Sequence, residues 1–400
     1  MTILTLKDLT FSNKKVLLRV DFNVPLDKHF NIADDSRIIA ALPTIQYILS
    51  QNASLVLISH MGRPKGEPQA HLSLNICAKK LSEKLNTKVY MASDCIGTEA
   101  EKMKRALKPK EILMLENVRF HKEETDKNRD LSFAKQLAAD CDIYVDDAFG
   151  CCHRSDASIV DLPKFFAGQS AMGFLLEKEI KYFKDFIQEP QHPFIAIIGG
   201  AKISTKIGVI ESLSSKVDAL LIGGAMAYTF LKAKGFVLGK SLVEDEYLDI
   251  ARSIIKKCED QNIPLILPQD LVFTNEFKEG AKQVVLKVGD KISEDLEGVD
   301  IGPLTIDLFK TKLMNAKTVL WNGPLGVFEI KDFAKGTEKI AEILAQTQAT
   351  TIIGGGDSAA AVKKLGIEAQ FDHISTGGGA SLEFIEKGSL PGLEALSKKD

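Results

Sequence analysis

The sequence predicts an α/β protein of two lobes, each built on a doubly wound, Rossmann-like parallel sheet, with a helical hinge between them. Three observations support this prediction. The chain has 400 residues, which is more than a single hydrophobic core usually serves. Short β-branched runs alternate with segments of helical period, as expected of βα units. One long amphipathic segment divides these units into two series.

The first series occupies the N-terminal part of the chain. Four apolar runs predict buried strands of a parallel sheet, at residues 17–20, 55–58, 112–115 and 143–145. Apolar residues recur at helical spacing from Ile38 to Leu49 and from Leu74 to Leu85. Ser73 precedes the second of these segments and is a suitable N-cap. The two segments therefore predict crossover helices.

The amphipathic segment runs from Met172 to Gln188, and Pro190 and Pro193 follow it. We interpret it as a helix that bridges the lobes and ends before the prolines. The second series begins after this segment, with strands predicted at residues 194–198, 219–222, 264–267, 319–321 and 351–353.

All but the third strand of the second series run directly into glycine or Asn-Gly, at the strand ends where open α/β sheets bind ligands. The expected domains are 1–173 and 191–387, with the hinge at 174–190. We expect the tail 388–400 to complete the first domain.

Composition and charge exclude several classes of protein. With 45% hydrophobic and 26% charged residues, the chain is neither disordered nor fibrous. A net charge of -3 gives no general indication of nucleic-acid or membrane binding. No apolar run approaches the roughly 18 residues of a membrane span, and the first residues lack the apolar stretch of a signal peptide. The six cysteines include no CxxC pair, and no ligand pair has zinc spacing, so we expect reduced thiols and a cytoplasmic protein.

Arginine is concentrated in the first lobe. Seven of the eight arginines lie in the first 154 residues, and guanidinium groups form forked hydrogen bonds with phosphate and carboxylate. Several follow predicted strands in loops that also carry histidine, namely 60–63, 119–121 and 153–154. A single surface arginine often contributes nothing measurable, but several in such loops favour a site for a small anion.

Glycine is concentrated at the strand ends of the second lobe, in the segments 199–202, 223–225, 323–326 and 354–357. Glycine allows close approach of a phosphate or a flat ring, and a helix N-terminus offers free N–H groups. One glycine pair is as well explained by a tight turn, whereas four at the ends of parallel strands favour a nucleotide crevice. The spacing of Lys202 and Lys206 predicts two ammonium groups on one helix face. Asp357 is suited to bind Mg²⁺ beside nucleotide phosphates.

Two common nucleotide-binding signatures are absent. The segment Gly235 to Ser241 (GFVLGKS) has one residue too few for a phosphate-binding P-loop and follows a predicted helix. The first strand is followed by Asp21-Phe22-Asn23, not by Gly-x-Gly-x-x-Gly. The sequence therefore disfavours an NAD-dependent dehydrogenase.

Eight segments, in order over nearly the whole chain, closely resemble the motifs of the phosphoglycerate kinase family. They are RVDFNVP at 19–25, SHMGRPKG at 59–66, LENVRF at 115–120, DAFG at 147–150 with His153-Arg154, GGAKISTK at 199–206, WNGPLGVFE at 321–329, GGGD at 354–357 and STGGGA at 375–380.

The resemblance implies an enzyme that transfers the acyl phosphate of 1,3-bisphosphoglycerate reversibly to ADP, with Mg²⁺, in glycolysis and gluconeogenesis. It implies a first lobe that binds 3-phosphoglycerate, a second that binds ATP or ADP, and a monomer that closes its lobes for in-line transfer. A carboxylate acceptor needs no general base, so we expect His60 and His153 to be neutral hydrogen-bonding groups.

The resemblance also implies roles for individual residues. The expected substrate-binding residues are Asp21, Phe22, Asn23, Arg37, His60, Met61, Gly62, Arg63, Arg119, His153 and Arg154. The expected catalytic residues are Arg37, Lys202, Lys206, Gly356 and Gly379. The expected nucleotide-binding residues are Gly200, Ala201, Lys202, Lys206, Gly223, Gly224, Asn322, Gly323, Pro324, Glu329, Gly354, Gly355, Gly356, Asp357 and Ser358, with Asp357 also on the metal.

Three positions depart from the family pattern. Asp156 stands where a histidine is common, Asp146 where asparagine is frequent, and Ser358 where threonine is usual. Asp156 either weakens anion binding or orients Arg154, and we favour the second because carboxylates pair with arginine in forked geometry. A catalytically silent, nucleotide-binding member of the family is the alternative, which the retained Arg37 and Asp357 disfavour.

Overall fold

A computed structural model describes residues 3–397 of the chain, apart from the side chains of Ile187 and Gln188. The strands are β1 Leu4–Thr5, β2 Lys15–Arg19, β3 Ser54–Ile58, β4 Val89–Met91, β5 Ile112–Met114, β6 Ile143–Asp146, β7 Ser170–Met172, β8 Phe194–Ile198, β9 Ala219–Ile222, β10 Leu265–Ile266, β11 Asp270–Thr274, β12 Gln283–Lys287, β13 Glu297–Ile301, β14 Thr318–Asn322, β15 Thr350–Gly354 and β16 His373–Ile374. The helices are α1 Ser36–Ser50, α2 Asn75–Leu85, α3 Gly97–Ala106, α4 Ser132–Ala138, α5 Ala157–Val160, α6 Phe174–Gln188, α7 Ile207–Leu213, α8 Met226–Ala233, α9 Leu248–Asp260, α10 Pro303–Leu313, α11 Lys335–Leu344, α12 Gly356–Leu365, α13 Gly378–Lys387 and α14 Pro391–Leu396.

The chain divides into two compact units. The first contains Met1–Lys181 and Ser389–Asp400, and the second contains Tyr182–Gly388. The boundary between Lys181 and Tyr182 falls inside α6. In the first unit, α14 lies beside α5, and the Gly392 N–H donates to the Cys152 carbonyl at 2.9 Å. Residues 398–400 of the tail lie outside the described residues.

The first unit contains a seven-stranded parallel sheet in the order β1-β7-β6-β2-β3-β5-β4. Its central strand β2 pairs with β3 on one side and with β6 on the other, and β6 lies much later in the sequence. The loops after β2 and β6 therefore leave in opposite directions, which opens a crevice at the carboxyl ends of these strands. The interior residues of β2, β3 and β5 are fully buried, as expected of a sheet covered on both faces.

The second unit contains a six-stranded parallel sheet in the order β10-β9-β8-β14-β15-β16. Numbered in chain order this is 3-2-1-4-5-6, the doubly wound order that binds nucleotides between its two central strands. Here those strands are β8 and β14. A three-stranded antiparallel sheet, β12-β11-β13, adds to this unit.

The predicted α/β class with two doubly wound parallel sheets is confirmed, and each of the nine predicted strands is present. The short strands β1, β4, β7 and β16 and the antiparallel sheet were not predicted. The N-cap at Ser73 was wrong by one residue, because α2 takes Leu74 as its N-cap. The Ser73 hydroxyl nevertheless accepts from the N–H of Asn75, the first residue of α2, at 3.2 Å, and it donates to a Glu116 carboxylate oxygen at 2.6 Å. Across residues 3–397, no helix is both long and apolar enough to cross a bilayer.

Candidate functional site

The first candidate site is an arginine patch at the carboxyl ends of β2, β3 and β5 in the first unit. The loop after β2 carries Asp21 and Asn23, and an Asp21 carboxylate oxygen accepts a hydrogen bond from the Arg37 guanidinium at the start of α1. Asn23 Oδ1 accepts from the Gly62 N–H at 2.8 Å. These contacts join the loops after β2 and β3 to α1, so Arg37 is held by a counter-charge at the edge of the sheet.

Asp156 links two further arginines of the patch. One of its oxygens, Oδ2, accepts from Arg119 Nη2 at 3.0 Å and from Arg154 Nε at 2.9 Å. Asp156 and Arg119 are almost fully buried, whereas the Arg154 side chain is 36% exposed. A second Arg119 nitrogen, Nη1, donates to the Gly62 carbonyl at 3.0 Å. The carboxylate therefore orients Arg154 and Arg119 together.

Arg119 is fixed by two hydrogen bonds, but within residues 3–397 one of its donors is left without a partner. Its Nε atom is buried and has no hydrogen-bond partner among the residues that the structure describes. An unpaired charged donor is costly in a buried position, and an anion bound beside it would remove this cost.

A fully buried arginine contacts the patch from the protein interior. Arg19 at the end of β2 is fully buried, and its Nε donates to Ser158 Oγ at 2.8 Å. That hydroxyl in turn donates to Glu124 at 2.6 Å. Burial raises the pKa of Glu124 to about 7, although Arg19 opposes this shift. Arg19 lies in the strand that the sequence predicted to be buried, and the structure gives it a supporting role.

His60 is a neutral donor. Arg19 Nη2 lies 3.2 Å from His60 Nδ1, and because arginine only donates, Nδ1 must accept and the ring proton lies on Nε2. Burial lowers the pKa of His60 well below its usual value, and Arg19, Arg119, Arg37 and Arg154 lower it further. The expectation of a neutral His60 therefore agrees with its surroundings.

The remaining predicted residues of the first unit differ in exposure. Arg63 is exposed and His153 is half-buried. Phe22 and Met61 are buried members of the hydrophobic core, so their side chains support the loops and do not face a ligand. Asp146 is fully buried, and burial raises the pKa of its carboxyl to about 6. The carboxyl that replaces the usual asparagine therefore lies in the interior of the protein, at the end of β6.

Asn117 connects the loops of the patch and was not singled out in the sequence. Its Oδ1 accepts from the N–H groups of Met61 and Arg119, at 3.2 and 3.1 Å. Its Nδ2 donates to the carbonyls of Met61 and Leu72, at 2.8 and 2.9 Å. The position lies inside the LENVRF segment, which was the only sequence signal for it.

The second candidate site is a glycine crevice at the carboxyl ends of β8 and β14. The Gly200 N–H donates to the Pro324 carbonyl at 2.8 Å, and the backbones approach so closely that a Cβ on Gly199 would lie 2.2 Å from the same oxygen. Gly224 has a φ of +66°, and a Cβ there would lie 2.5 Å from the Gly200 carbonyl oxygen. Glycine is required at these positions because a side chain would clash with the neighbouring backbone. The surface of the crevice is therefore formed mainly by backbone atoms.

Lys206 is the half-buried cation of this crevice. Its ammonium donates to Asn322 Oδ1 at the end of β14. Burial lowers the pKa of Lys206 to about 8, and the Asp357 carboxylate opposes that shift. Asn322 Nδ2 is buried without a hydrogen-bond partner in the described part of the chain.

The prediction that Lys202 and Lys206 share one helix face was wrong. They flank a single 3-10 turn, Ile203–Thr205, and α7 begins only after Lys206. Lys202 is exposed, whereas Lys206 is half-buried. Within the described residues, the Lys206 ammonium has an amide partner in Asn322.

Two helix N-termini meet beside the crevice. Helix α12 begins at Gly356 and α13 at Gly378, and a Cβ on Gly378 would lie 2.9 Å from the Gly355 Cα atom. No heavy atom lies within 4 Å of the Cβ position of Gly356. Free N–H groups and the helix dipoles make such termini suited to anions, and Gly379 lies in the first turn of α13.

The remaining predicted residues of the second unit differ in exposure and in contacts. Ser358 Oγ accepts from the Gly323 N–H at 2.7 Å, so the hydroxyl that replaces the usual threonine has a structural partner. Asp357 and Glu329 are exposed, as is Ala201. A Cβ on Gly223 would lie 2.4 Å from Leu325, and one on Gly354 2.9 Å from Asn322.

Asp357 fits a Mg²⁺ ligand. Asp357 is exposed in the first turn of α12, and the Cβ position of its neighbour Gly356 is open. Magnesium is usually held by one or two carboxylates together with substrate phosphates.

The chain is similar to proteins of one family over its whole length. The family model described as phosphoglycerate kinase matches residues 6–388. A phosphoglycerate kinase of Chlorobium phaeobacteroides (strain BS1) is 52% identical over 396 residues, which cover 98% of this chain and 99% of that protein. One from Moorella thermoacetica (strain ATCC 39073 / JCM 9320) is 49% identical over 399 residues and covers 100% of both chains.

Solved structures agree. The phosphoglycerate kinase of Coxiella burnetii has a TM-score of 0.87, with 39% identity over 99% of each chain. That of Pyrococcus horikoshii OT3 also has a TM-score of 0.87, with 33% identity over 98% of each chain.

Proposed function

The chain belongs to the phosphoglycerate kinase family, and from this premise we propose which of its residues carry each half of the reaction. Members catalyse reversible Mg²⁺-dependent phosphoryl transfer between 1,3-bisphosphoglycerate with ADP and 3-phosphoglycerate with ATP, a step of glycolysis. The chain is accordingly a kinase whose acceptor is a carboxyl group.

We propose that the arginine patch of the first unit binds 3-phosphoglycerate. The observation that supports this is the triangle of Asp156, Arg119 and Arg154, in which one carboxylate orients two guanidinium groups. The unpaired Nε of Arg119 and the Nε2–H of His60 supply further donors. Asn23 and Asp21 would contact the hydroxyl and carboxylate region, while Arg63 and His153 would complete the patch.

We propose that the glycine crevice of the second unit binds the nucleotide. The amides at the N-termini of α12 and α13, including those of Gly356 and Gly379, would bind the phosphates with Lys202 and Lys206. Glu329 would bind the ribose hydroxyls, and Gly200, Ala201, Gly223, Gly224, Asn322, Gly323 and Pro324 would form the surface that the nucleotide approaches. Mg²⁺, when held by Asp357 and the phosphates, would neutralise charge on the nucleotide.

Catalysis would then follow from charge and position. The transferred phosphoryl group passes through a transition state with charge on its equatorial oxygens, so cations aimed at those oxygens lower the barrier. Arg37 is the residue we assign to this task, because Asp21 fixes its guanidinium at the edge of the patch. The acceptor carboxylate has no proton to remove, which agrees with a neutral His60.

We also propose a role for each domain. Residues 1–173 with the tail 388–400 would bind 3-phosphoglycerate, residues 174–190 would act as the hinge, and residues 191–387 would bind the nucleotide. Closure about this hinge would exclude water and align donor and acceptor. A monomeric state and a cytoplasmic location also stay predictions.

Two exposed residues provide a direct test. Arg63→Ala should weaken 3-phosphoglycerate binding and leave MgATP binding unchanged, and Lys202→Ala should do the reverse, both measured by titration calorimetry. Arg252→Ala, which removes an exposed arginine of the second unit, is the control and should change neither affinity. The opposite pattern for either of the first two variants would overturn the assignment of ligands to the units.

A further inference from the structure

A second cluster of chemically reactive side chains lies at one edge of the first sheet, outside the arginine patch. Asp94 and Cys95 follow β4, and His121 follows the 3-10 turn Val118–Phe120 beyond β5. Strands β4 and β5 are parallel neighbours, so the loops after them leave from the same edge of the sheet. This placement brings together three ligand types that are separated in the sequence.

The three side chains are close enough to share one ion. Asp94 Oδ1 lies 2.6 Å from His121 Nε2, and the ligand atoms of Asp94, Cys95 and His121 all lie within 4.8 Å of one another. Zinc–ligand bonds of about 2.0–2.3 Å in tetrahedral geometry place the ligand atoms about 3.3–3.8 Å apart. Side-chain movements of about 1 Å therefore suffice to form such a site.

A pocket gives access to the cluster. A cavity of about 490 Å³ is lined by Asp94 and His121 together with Ser73, Ser93 and Glu116. Cys95 is fully buried, whereas the Asp94 and His121 side chains are 48% and 23% exposed. The sulfur thus lies at the inner end and the pocket at the outer end. A zinc site that keeps one position open for water or a small ligand has this arrangement.

The surrounding charges favour a cation. Glu116 lies on the pocket wall and Glu99 accepts a hydrogen bond from Ser93. Soft divalent ions prefer thiolate ligands, and Cys95 supplies a sulfur to the cluster. Lys104 is a nearby cation, but its ammonium donates to the carbonyls of Gln136, Leu137 and Ala139.

We propose that Asp94, Cys95 and His121 form a binding site for a divalent transition-metal ion of the zinc class, with its fourth position open to the pocket. The site uses none of the residues assigned to 3-phosphoglycerate, nucleotide or Mg²⁺. The cluster of Asp21, His60 and Cys151 is also compact, but Arg19 lies 3.2 Å from His60 Nδ1 and repels a cation there.

Cobalt(II) is the probe that tests the proposal, because thiolate ligation gives a sulfur-to-cobalt charge-transfer band and carboxylate ligation does not. Titration of the full chain without nucleotide should develop this band with one equivalent of Co²⁺, and Zn²⁺ should abolish it. Binding at Asp357 would not produce the band. A titration without any charge-transfer band would overturn the proposal.

Variants locate the site. Cys95→Ser should abolish the band, and Cys258→Ser, which changes a buried cysteine of the second unit, should leave it intact. Asp94→Asn alters a half-exposed side chain and should preserve the fold, so it serves if Cys95→Ser does not fold. It should weaken Co²⁺ binding by roughly tenfold or more. A band that persists in Cys95→Ser, or an unchanged affinity in Asp94→Asn, would contradict the assignment.

Discussion

The two units form their anion sites by different means. The arginine patch of the first unit consists of side chains whose positions are fixed by carboxylates. Asp21 pairs with Arg37, and Asp156 pairs with both Arg119 and Arg154. The glycine crevice of the second unit consists mainly of backbone, with one half-buried ammonium at Lys206. The first site therefore has its full charge before a ligand arrives, whereas the second can gain charge when phosphate binds.

This difference has consequences for mutation. A side-chain site loses function when one guanidinium is removed or misdirected. In a site formed mainly by backbone, most donors are N–H groups that a substitution does not delete, so most variants should be milder and should change mainly the nucleotide affinity.

The largest effect is expected from Arg37→Ala. If Arg37 stabilises the transferred phosphoryl group, its loss should lower kcat by about 10³-fold while the dissociation constant for MgATP stays the same. Steady-state kinetics and nucleotide titration measure the two quantities. Arg105→Ala is a matched control in the first unit, where Arg105 pairs with Glu101 and Asp140 on the surface. A large loss of ATP binding would show that our assignment of Arg37 to the arginine patch is wrong.

Asp156→Ala tests whether orientation of the arginines matters more than removal of a negative charge. Loss of the shared acceptor should raise KM for 3-phosphoglycerate roughly tenfold, equivalent to about 1.4 kcal/mol, because Arg119 and Arg154 lose their fixed geometry. It should also lower the free energy of unfolding by about 3 kcal/mol, since a buried guanidinium loses its partner.

Asp161→Ala is the matched control for that variant. Asp161 is equally buried and also pairs with two cations, Arg129 and Lys164, but outside the patch. It should cause a similar loss of stability in denaturant titrations and no change in KM for 3-phosphoglycerate. A lower KM in Asp156→Ala would show that the negative charge had been the dominant influence.

The sequence predicted both sites largely through their strand ends. Parallel strands that run into glycine or arginine-rich loops are visible as apolar runs followed by polar residues, so β8, β14 and β15 were located correctly. The sheet β12-β11-β13 was missed because its strands carry charged residues that interrupt the apolar runs, and because β12 is partly exposed. Contacts that join distant segments were also missed, among them Asn117 with Met61 and the cluster of Cys95 with His121. No local pattern encodes them.

A pH dependence is expected from Lys206. Its pKa is lowered to about 8 by burial, so near pH 8 about half of the unliganded protein carries the proton. Bound phosphates favour the charged form, and nucleotide binding should therefore take up roughly half a proton at pH 8, with affinity falling as the pH rises further. Calorimetry in buffers of different ionisation enthalpy measures the uptake.

Lys206→Met provides the control for this linkage and should abolish the proton uptake. The same lowered pKa makes the unliganded protein less stable below pH 8 than it would be with an unburied lysine, and this penalty should disappear as the pH rises towards the ordinary lysine value. Proton uptake that persists in Lys206→Met would assign the titration to another group.

The smallest effect is expected from Glu329→Ala. Glu329 is exposed, and its proposed hydrogen bonds to the ribose hydroxyls compete with water, so their loss should raise the dissociation constant for MgATP only about three- to tenfold. Glu342→Ala removes another exposed carboxylate of the second unit and should have no such effect. Because this contact comes from one side chain at the rim of a backbone site, 3-phosphoglycerate affinity should not change. A change in that affinity instead would break the division of labour between the two units.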